Sequence, residues 1–269
     1  MLTRALEELD RELWASGRLC PPERAVMLTA TSKRVRALLA WMNLRLPASV
    51  SVHCAIGPAA TALPCLRAWC RVVALDMSGC GLCDEGAAAL PVALETCTSL
   101  TSLTLENNRI GSAGAASVAR VLRHSPSLTR LDLYDNVLGE AGAASVADAL
   151  GQCPSLTSLF LGSNRLGDRG TASVAAALGQ CPSLTALNLF NNRIGDDGAE
   201  SLAGAIQQCS SLTLLSLRNN GIRSAGADYL IRGLQPCPGR VVLNISENSL
   251  SHAGMRRLEQ CTSLRGLIL

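Results

Sequence analysis

Leucines recur along the chain from Val72 onward at a fixed spacing of 28 residues. Three registers of this repeat hold leucine in five successive units, and a fourth holds asparagine in six. The leucines are Leu100, Leu128, Leu156, Leu184 and Leu212; Leu103, Leu131, Leu159, Leu187 and Leu215; and Leu105, Leu133, Leu161, Leu189 and Leu217. The asparagines are Asn108, Asn136, Asn164, Asn192, Asn220 and Asn248. A period of about 20–30 residues with the pattern L-x-x-L-x-L-x-x-N is typical of stacked units in which a short strand precedes a helix.

The unit from Ser127 to Pro154 shows what the pattern predicts for local structure. The inward positions of the strand are Leu128, Leu131 and Leu133, and the apolar face of the helix is Val146, Ala149 and Leu150. Asn136 follows the strand, where its amide can bond to backbone groups and, stacked on its neighbours, form a ladder. Gly139 and Gly142 permit the turn into the helix.

One such unit cannot bury both of its faces, so the units are expected to stack. The strands then form a parallel sheet on the concave side, and the helices pack on the outside, where abundant alanine lets them lie close together. We predict strands near residues 72, 100, 128, 156, 184, 212, 240 and 264, which makes residues 72–269 a domain of seven full units plus a final partial strand. The last interval is 24 residues, and the sequence reaches Leu269 within a strand. A shortened gene, or an edge covered by another chain, is the expected explanation.

The amino-acid sequence of the repeat units resembles that of a known family. The unit NRIGDDGAESLAGAI, which begins at Asn192, is similar to the ribonuclease-inhibitor subtype of leucine-rich repeats, and the resemblance covers about three quarters of the chain. It implies an α/β fold, a right-handed solenoid or horseshoe with the sheet on its concave face. Known members are mostly protein-binding scaffolds, among them inhibitors, immune sensors and substrate receptors of ubiquitin ligases. One subgroup activates GTPases, but it usually carries a strongly acidic tail that this sequence does not show.

Residues 1–71 lack the repeat, and they contain all three tryptophans, Trp14, Trp41 and Trp69. They also carry twice as many basic as acidic side chains, unlike the near-neutral repeats. We predict a small helical cap, with helices from Leu2 to Leu13 and from Arg24 to Leu39. Pro21 and Pro22 separate these two helices.

Part of this segment, residues 9–39, also resembles an F-box. Leu-Asp-Arg-Glu-Leu opens it at Leu9, and Ser-Lys-Arg-Val-Arg-Ala-Leu follows at Ser32, although Asp10 stands where the F-box has proline. The resemblance implies docking to a Skp-type adaptor, as in a substrate receptor of a Skp-cullin-F-box ubiquitin ligase. The implied contact residues are Leu9, Leu13, Pro22, Met27 and Leu28. A plain helical cap is the alternative, and the basic run at Lys33 is either a nuclear address or a solvated helix face.

The cysteines follow the repeat as well. One register just after the helix holds Cys97, Cys153, Cys181, Cys209 and Cys237, with Ser125 in the remaining unit and Cys261 as the equivalent in the last. A small residue in a repeated position is expected to be a buried thiol, which predicts a reducing compartment, cytoplasmic with nuclear as an alternative. The cysteines that allow a zinc site are Cys65, Cys70, Cys80 and Cys83. Cys80 already stands in the ladder position, so we predict no metal.

Charge and motifs argue against several functions. The net charge of only +3 does not favour a nucleic-acid or membrane binder, and no run of about 18 apolar residues predicts a membrane span. The three histidines, His53, His124 and His252, form no recognisable catalytic constellation, and phosphate-binding and hydrolase motifs are absent from the sequence. We therefore predict a protein that is not an enzyme, with no catalytic residue and no cofactor.

The strand pattern also places candidate binding residues. Side chains of a strand alternate between its faces, so residues between and after the leucines face the concave groove. Three of the four Tyr and Phe residues of the chain fall there, Tyr134, Phe160 and Phe190. Gly162 is expected to leave a dip between the rings, within a pocket whose rim carries opposite charges. The predicted partner-binding residues are Tyr134, Phe160, Phe190, Arg218, Glu106 and Asp132. The alternative is that these positions tolerate any residue.

Overall fold

The computed structural model describes residues 25–28, 50–54, 72–95, 97–236 and 241–269, the first two ranges as backbone strands only. These residues contribute ten strands to one parallel sheet, in which each strand pairs with its neighbour in the sequence. The strands are β1 (Ala25–Leu28), β2 (Val50–Cys54), β3 (Val72–Asp76), β4 (Ser102–Thr104), β5 (Arg130–Asp132), β6 (Ser158–Phe160), β7 (Ala186–Asn188), β8 (Leu214–Ser216), β9 (Val241–Asn244) and β10 (Leu264–Ile268). The strands from β3 onward confirm the predicted solenoid.

Helices alternate with these strands and pack side by side. They are α1 (Cys83–Ala88), α2 (Leu90–Leu94), α3 (Ser112–Leu122), α4 (Gly139–Leu150), α5 (Gly167–Leu178), α6 (Asp196–Ile206), α7 (Ser224–Leu234) and α8 (His252–Glu259). The predicted glycines act at the start of α4. Gly139 has a φ of +62°, and a Cβ at Gly142 would lie 3.2 Å from the Cβ of Ala115 in α3. Glycine thus permits both the left-handed turn and the close approach of neighbouring helices.

The core lies between the sheet and the helices. Each of the fifteen leucines in the three repeat registers is 1% exposed or less. The helix positions predicted to face them, Val146, Ala149 and Leu150, are fully buried. Strands β3 to β9 pair in register, with Leu131 opposite Leu103 and Leu159 opposite Leu131. The period of 28 residues therefore becomes a stack of identical apolar layers.

The asparagine ladder is confirmed by its hydrogen bonds. The amide of Asn136 donates to the carbonyls of Leu105 and Leu133 at 2.9 and 3.1 Å. Its carbonyl oxygen accepts from the backbone N–H groups of Asn108 and Ile110 at 3.1 and 2.9 Å. Each asparagine thus serves backbone groups of its own unit and of the preceding one, groups that the bend after the strand would otherwise leave unpaired.

Two further ladders were not predicted from the sequence. Threonine hydroxyls at the start of the strands donate to the carbonyl one unit earlier, as Thr129 does to Thr101 at 2.9 Å. The series is Thr101, Thr129, Thr157, Thr185 and Thr213.

The other ladder consists of aspartates that cap the next helix. Asp168, in the first turn of α5, accepts from the N–H groups of Gly195 and Gly198 at the start of α6. Asp84 and Asp196 do the same for α3 and α7. A carboxylate at a helix N-terminus accepts hydrogen bonds from otherwise unpaired N–H groups, and its negative charge interacts favourably with the helix dipole.

The N-terminal segment differs from the prediction where it is described. Ala25–Leu28 lies within the predicted helix Arg24–Leu39 but forms a strand, so the helix is wrong at these residues. β1 pairs with β2, and β2 pairs with β3 in parallel, so the sheet continues past the first repeat. This pairing satisfies backbone groups along β3 that an open sheet edge would expose. The predicted helix from Leu2 to Leu13 lies outside the described residues.

The F-box resemblance and the domain boundary in the N-terminal segment stay predictions. Of the F-box contact residues, Met27 and Leu28 lie in β1, and the other three lie outside the described residues. The domain boundary after residue 71 stays a prediction.

Four of the repeat cysteines lie in the core as predicted. Cys97, Cys153, Cys181 and Cys209 are 1% exposed or less, and Ser125 in the same register is also buried. Burial raises the pKa of Cys153 to about 12 and that of Cys181 to about 11. Cys261 is only partly buried, and Cys65, Cys70 and Cys237 lie outside the described residues.

Candidate protein-binding surface on the concave face

Three rows of side chains cross the concave face of the sheet. The two predicted rows are Asp76, Thr104, Asp132, Phe160, Asn188, Ser216 and Asn244, and Ser78, Glu106, Tyr134, Gly162, Phe190, Arg218 and Ser246. Sequence reasoning missed a third row, two residues earlier, which consists of Ala74, Ser102, Arg130, Ser158, Ala186, Leu214 and Val242. The alternation of side chains along each strand would have indicated this row, because residues two positions apart lie on the same face. This row adds Arg130 and Leu214, and Leu214 is 43% exposed.

The aromatic rings on this face form a packed arrangement. Tyr134 and Phe190 stack with their ring centroids 6.2 Å apart and their planes 11° from parallel. They meet across Gly162, where an added Cβ would lie 2.7 Å from two ring carbons of Tyr134. The predicted dip at Gly162 is therefore wrong, because the tyrosine ring leans into the space that glycine leaves. Both rings remain partly exposed.

Arginine side chains accompany the two phenylalanines. The guanidinium carbon of Arg130 lies 4.1 Å from the ring centroid of Phe160, and that of Arg218 lies 5.6 Å from the centroid of Phe190. Both distances fall within the range of cation–π attraction. The face therefore presents aromatic rings whose positions are held by neighbouring side chains.

Asp132 does not contribute to this surface as predicted. It is only 5% exposed, pairs with Arg130 at 2.8 Å, and accepts the backbone N–H of Tyr134 at 3.1 Å. Asp76, Asn188 and Asn244 likewise accept the N–H two residues later. Such bonds to the backbone are typical of Asp and Asn side chains. The presence of Asp or Asn at these positions was therefore the sequence feature that could have predicted them. Asp132 shapes the end of the strand and exposes little of its surface to a partner.

The two charged residues predicted at the rim, Arg218 and Glu106, differ in their ion-pair partners. Arg218 forms an ion pair with Glu247 at 2.5 Å, a partner that the sequence did not suggest, and its bond lowers the pKa of Glu247. Glu106 has no such partner among the described residues. Its partial burial raises its pKa, and Asp132, Asp76 and Asp135 raise it further, while Arg130 opposes them. The face is thus acidic around β3 to β5 and paired at β8 and β9.

The described residues offer little for catalysis or metal binding. His124 and His252, whose side chains are described, are exposed and lie in units far apart in the stack. Within the described ranges, no three His, Cys, Asp or Glu side chains group closely enough to hold a metal ion. Among the described helices, none has the length and apolar character needed to cross a bilayer.

Comparison with known proteins identifies the family. The sequence profile of the leucine-rich repeat matches residues 72–90, 96–119, 124–147, 152–175, 180–203 and 208–230, just over half of the 269-residue chain. The chain belongs to the leucine-rich-repeat family. Domains of this family generally bind proteins and are generally not enzymes, so membership supports a protein-interaction scaffold. No curated protein sequence matches the chain.

Solved structures resemble the chain in fold only. Leiomodin-1 actin-binding site 2 shares 16% identity over 55% of this chain and 84% of its own, with a TM-score of 0.43. An internalin from Listeria monocytogenes shares 16% identity over 82% of this chain and 66% of its own, with a TM-score of 0.41. The ribonuclease-inhibitor subtype and the F-box stay predictions.

Proposed function

We propose that this protein is a non-enzymatic scaffold that captures a partner protein on the concave face of its repeats. The Tyr134–Phe190 stack across Gly162 carries the proposal. Its two rings are partly exposed, and residues that contribute most to protein interfaces are enriched in tyrosine and arginine. Because the rings already pack on each other, a partner would meet a surface that loses little side-chain entropy on binding.

The distribution of apolar side chains favours this face. Three of the four Tyr and Phe residues in the chain lie on it, and Leu214 adds an exposed aliphatic group on the neighbouring strand. On the convex side the described helices present mainly alanine, serine and charged side chains. An apolar patch bordered by charge is typical of an interaction site, whereas single exposed apolar residues are common anywhere.

A reducing compartment, cytoplasmic or nuclear, is part of the same proposal. Cys153 and Cys181 are buried thiols whose Sγ atoms lie near backbone carbonyls of the preceding unit. Buried thiols in a repeated core position are typical of proteins that keep their cysteines reduced.

Affinity purification with quantitative mass spectrometry tests the proposal. The variants are the triple substitution Tyr134→Ala, Phe160→Ala and Phe190→Ala and, as a control, Asp148→Ala on the exposed side of α4. We expect the triple variant to remain folded and lose the partner, because truncated hot-spot residues typically cost about 2–4 kcal/mol of binding. The control should retain it. Undiminished recovery by the folded triple variant would show that the binding surface lies elsewhere. Recovery of a cullin and a Skp-type adaptor would favour the ubiquitin-ligase receptor instead.

A further inference from the structure

One aromatic ring on the concave face differs from the others in what surrounds it. Phe160 and Phe190 each have an arginine of this chain within cation–π range, and so does Tyr229 on α7, with Arg232 at 5.5 Å. Among the described residues no cation lies over the ring of Tyr134, although Arg218, which lies over Phe190, also interacts electrostatically with Tyr134. Its ring contacts Phe190 and Gly162 on the side of β6, and the remaining part is accessible.

Glu106 is the neighbour of Tyr134 on the other side. The two residues occupy the same position in successive units, and β4 pairs with β5 in register, with Thr104 opposite Asp132. The backbone continues this pairing, since the N–H of Asn107 donates to the carbonyl of Tyr134 at 2.9 Å. Adjacent strands lie about 4.8 Å apart, so the carboxylate of Glu106 and the ring of Tyr134 share one small region of the surface.

Among the described residues that act on Glu106, three are acidic, Asp132, Asp76 and Asp135, and one, Arg130, is basic. Arg130, the basic residue beside Glu106, is already bound to Asp132 at 2.8 Å. Glu106 is partly buried, and the negative charges of Asp76 and Asp135 act on it as well. A carboxylate in such surroundings is stabilised by a cation more than a fully solvated one would be, because water screens it less.

We propose that the partner presents a basic segment whose arginine lies against Tyr134 and pairs with Glu106, an inference that rests on the proposed function. The planar guanidinium can stack on an aromatic ring and bond to a carboxylate at the same time, which the ammonium of lysine does less well. Arg130 shows both contacts within this chain, with its ring partner Phe160 and its carboxylate partner Asp132. The charge of the region, acidic and open beside the aromatic stack, complements such a segment.

Fluorine NMR of the full chain labelled with 3-fluorotyrosine tests this contact. The chain has only two tyrosines, so Tyr134 reports on the proposed site and Tyr229, already beside Arg232, serves as an internal control. The probe is a short peptide of alternating arginine and glycine, with lysine, glutamine and glutamate versions. We expect saturable movement of the Tyr134 signal with the arginine peptide, weaker binding of the lysine peptide and an unmoved Tyr229 signal.

Matched substitutions identify the carboxylate. Glu106→Gln should weaken binding of the arginine peptide about three- to tenfold, the range for a partly exposed ion pair. Glu200→Gln, the same substitution at an exposed position of α6, should leave it unchanged. Circular dichroism of each variant confirms that it is folded.

Several results would overturn the proposal. These are an unmoved Tyr134 signal at millimolar arginine peptide, equal binding by lysine or glutamate peptides, or equal affinity in Glu106→Gln. Partner capture that depends on Tyr134 and Phe190, without binding of the arginine peptide at Tyr134, would reject the basic segment and leave the proposed function standing. Capture that is indifferent to the aromatic residues would reject both.

Discussion

The two faces of the sheet are built from the same strands and follow different rules. On the inner face Leu131 is followed one unit later by Leu159, and both are fully buried. On the concave face the next residues along the strands are Asp132 and Phe160, which share neither charge nor size. Stacking requires the inner residues to match from unit to unit, because each layer packs on the next. The concave residues are free of that packing requirement, so their side chains can differ from unit to unit as a binding surface would need.

The largest expected effect comes from two adjacent residues that point to opposite faces. Leu159→Ala should lower the free energy of unfolding by about 2–5 kcal/mol, because it leaves a cavity in a fully buried layer. Phe160→Ala should cost no more than about 1.5 kcal/mol, since it removes a partly exposed ring and its contact with Arg130. Urea denaturation of both variants measures the difference. Equal losses of unfolding free energy in the two variants would show that the concave face contributes to folding as much as the inner face does.

The asparagine ladder should tolerate change as poorly as the leucine layers. Asn164 is fully buried and donates to the carbonyls of Leu133, Leu161 and Gly162. Asn164→Ala leaves several buried backbone groups unpaired, so we expect a loss of about 3 kcal/mol. Hydrogen exchange should also be faster in the units on either side. Gln207→Ala, at an exposed position after α6, is the control, and a comparable loss there would contradict this account.

The buried thiols predict a dependence of stability on pH. The native pKa values of Cys153 and Cys181 are raised to about 12 and about 11 from an ordinary value of about 9. Above pH 9 the unfolded chain releases these protons while the native chain keeps them. Stability is therefore fully present below pH 9 and falls as the pH rises towards the native pKa values.

Each thiol should cost on the order of 1 kcal/mol at about pH 10. Urea midpoints at about pH 8 and about pH 10 measure this decline, and the double variant Cys153→Ala, Cys181→Ala should flatten it. An undiminished decline in that variant would assign the effect to other groups. Thiol counting in the denatured protein, without reductant, should also find nearly all twelve cysteines reactive.

The smallest effect concerns a charge on the concave face. The pKa of Glu106 is raised, so the native chain binds its proton more tightly than the unfolded chain does. The stability that the protonated form contributes is present below the ordinary pKa of about 4.5 and is lost as the pH rises through the raised value. The groups that face it are Asp132, Asp76, Asp135 and Arg130. Glu106→Gln should thus stabilise the fold at neutral pH, by less than about 1 kcal/mol. Thermal melts against Glu200→Gln check the sign, and a destabilised Glu106→Gln would contradict it.

The sequence predicted the inner face well because one residue of each unit predicts its equivalents in the others. The leucine registers, the asparagine ladder and the cysteine register all follow from the period of 28 residues. The strands at Ala25–Leu28 and Val50–Cys54 escaped prediction because they stand outside that period. Ala25–Leu28 depends on pairing with Val50–Cys54, which in turn pairs with β3. A short apolar run does not by itself distinguish a strand from a helix.

The concave face could be predicted in position but not in contacts. Alternation placed Tyr134, Phe160 and Phe190 on it, yet the orientation of each ring depends on neighbours 28 or more residues away. The tyrosine leans over Gly162, Asp132 turns to a backbone N–H, and Arg218 reaches Glu247. Each of these orientations results from competition between possible partners of the side chain. The pattern of residues along the sequence does not show which partner is preferred.

Hydrogen–deuterium exchange of the complex with the captured partner tests the central claim most directly. If the partner lies on the concave face, protection should appear in residues 102–107, 130–135, 158–163 and 186–191, which include β4 to β7 and the turns after them. Helices α3 to α6 on the convex side should exchange as in the free chain. Protection confined to those helices, with the strand segments unchanged, would contradict the account.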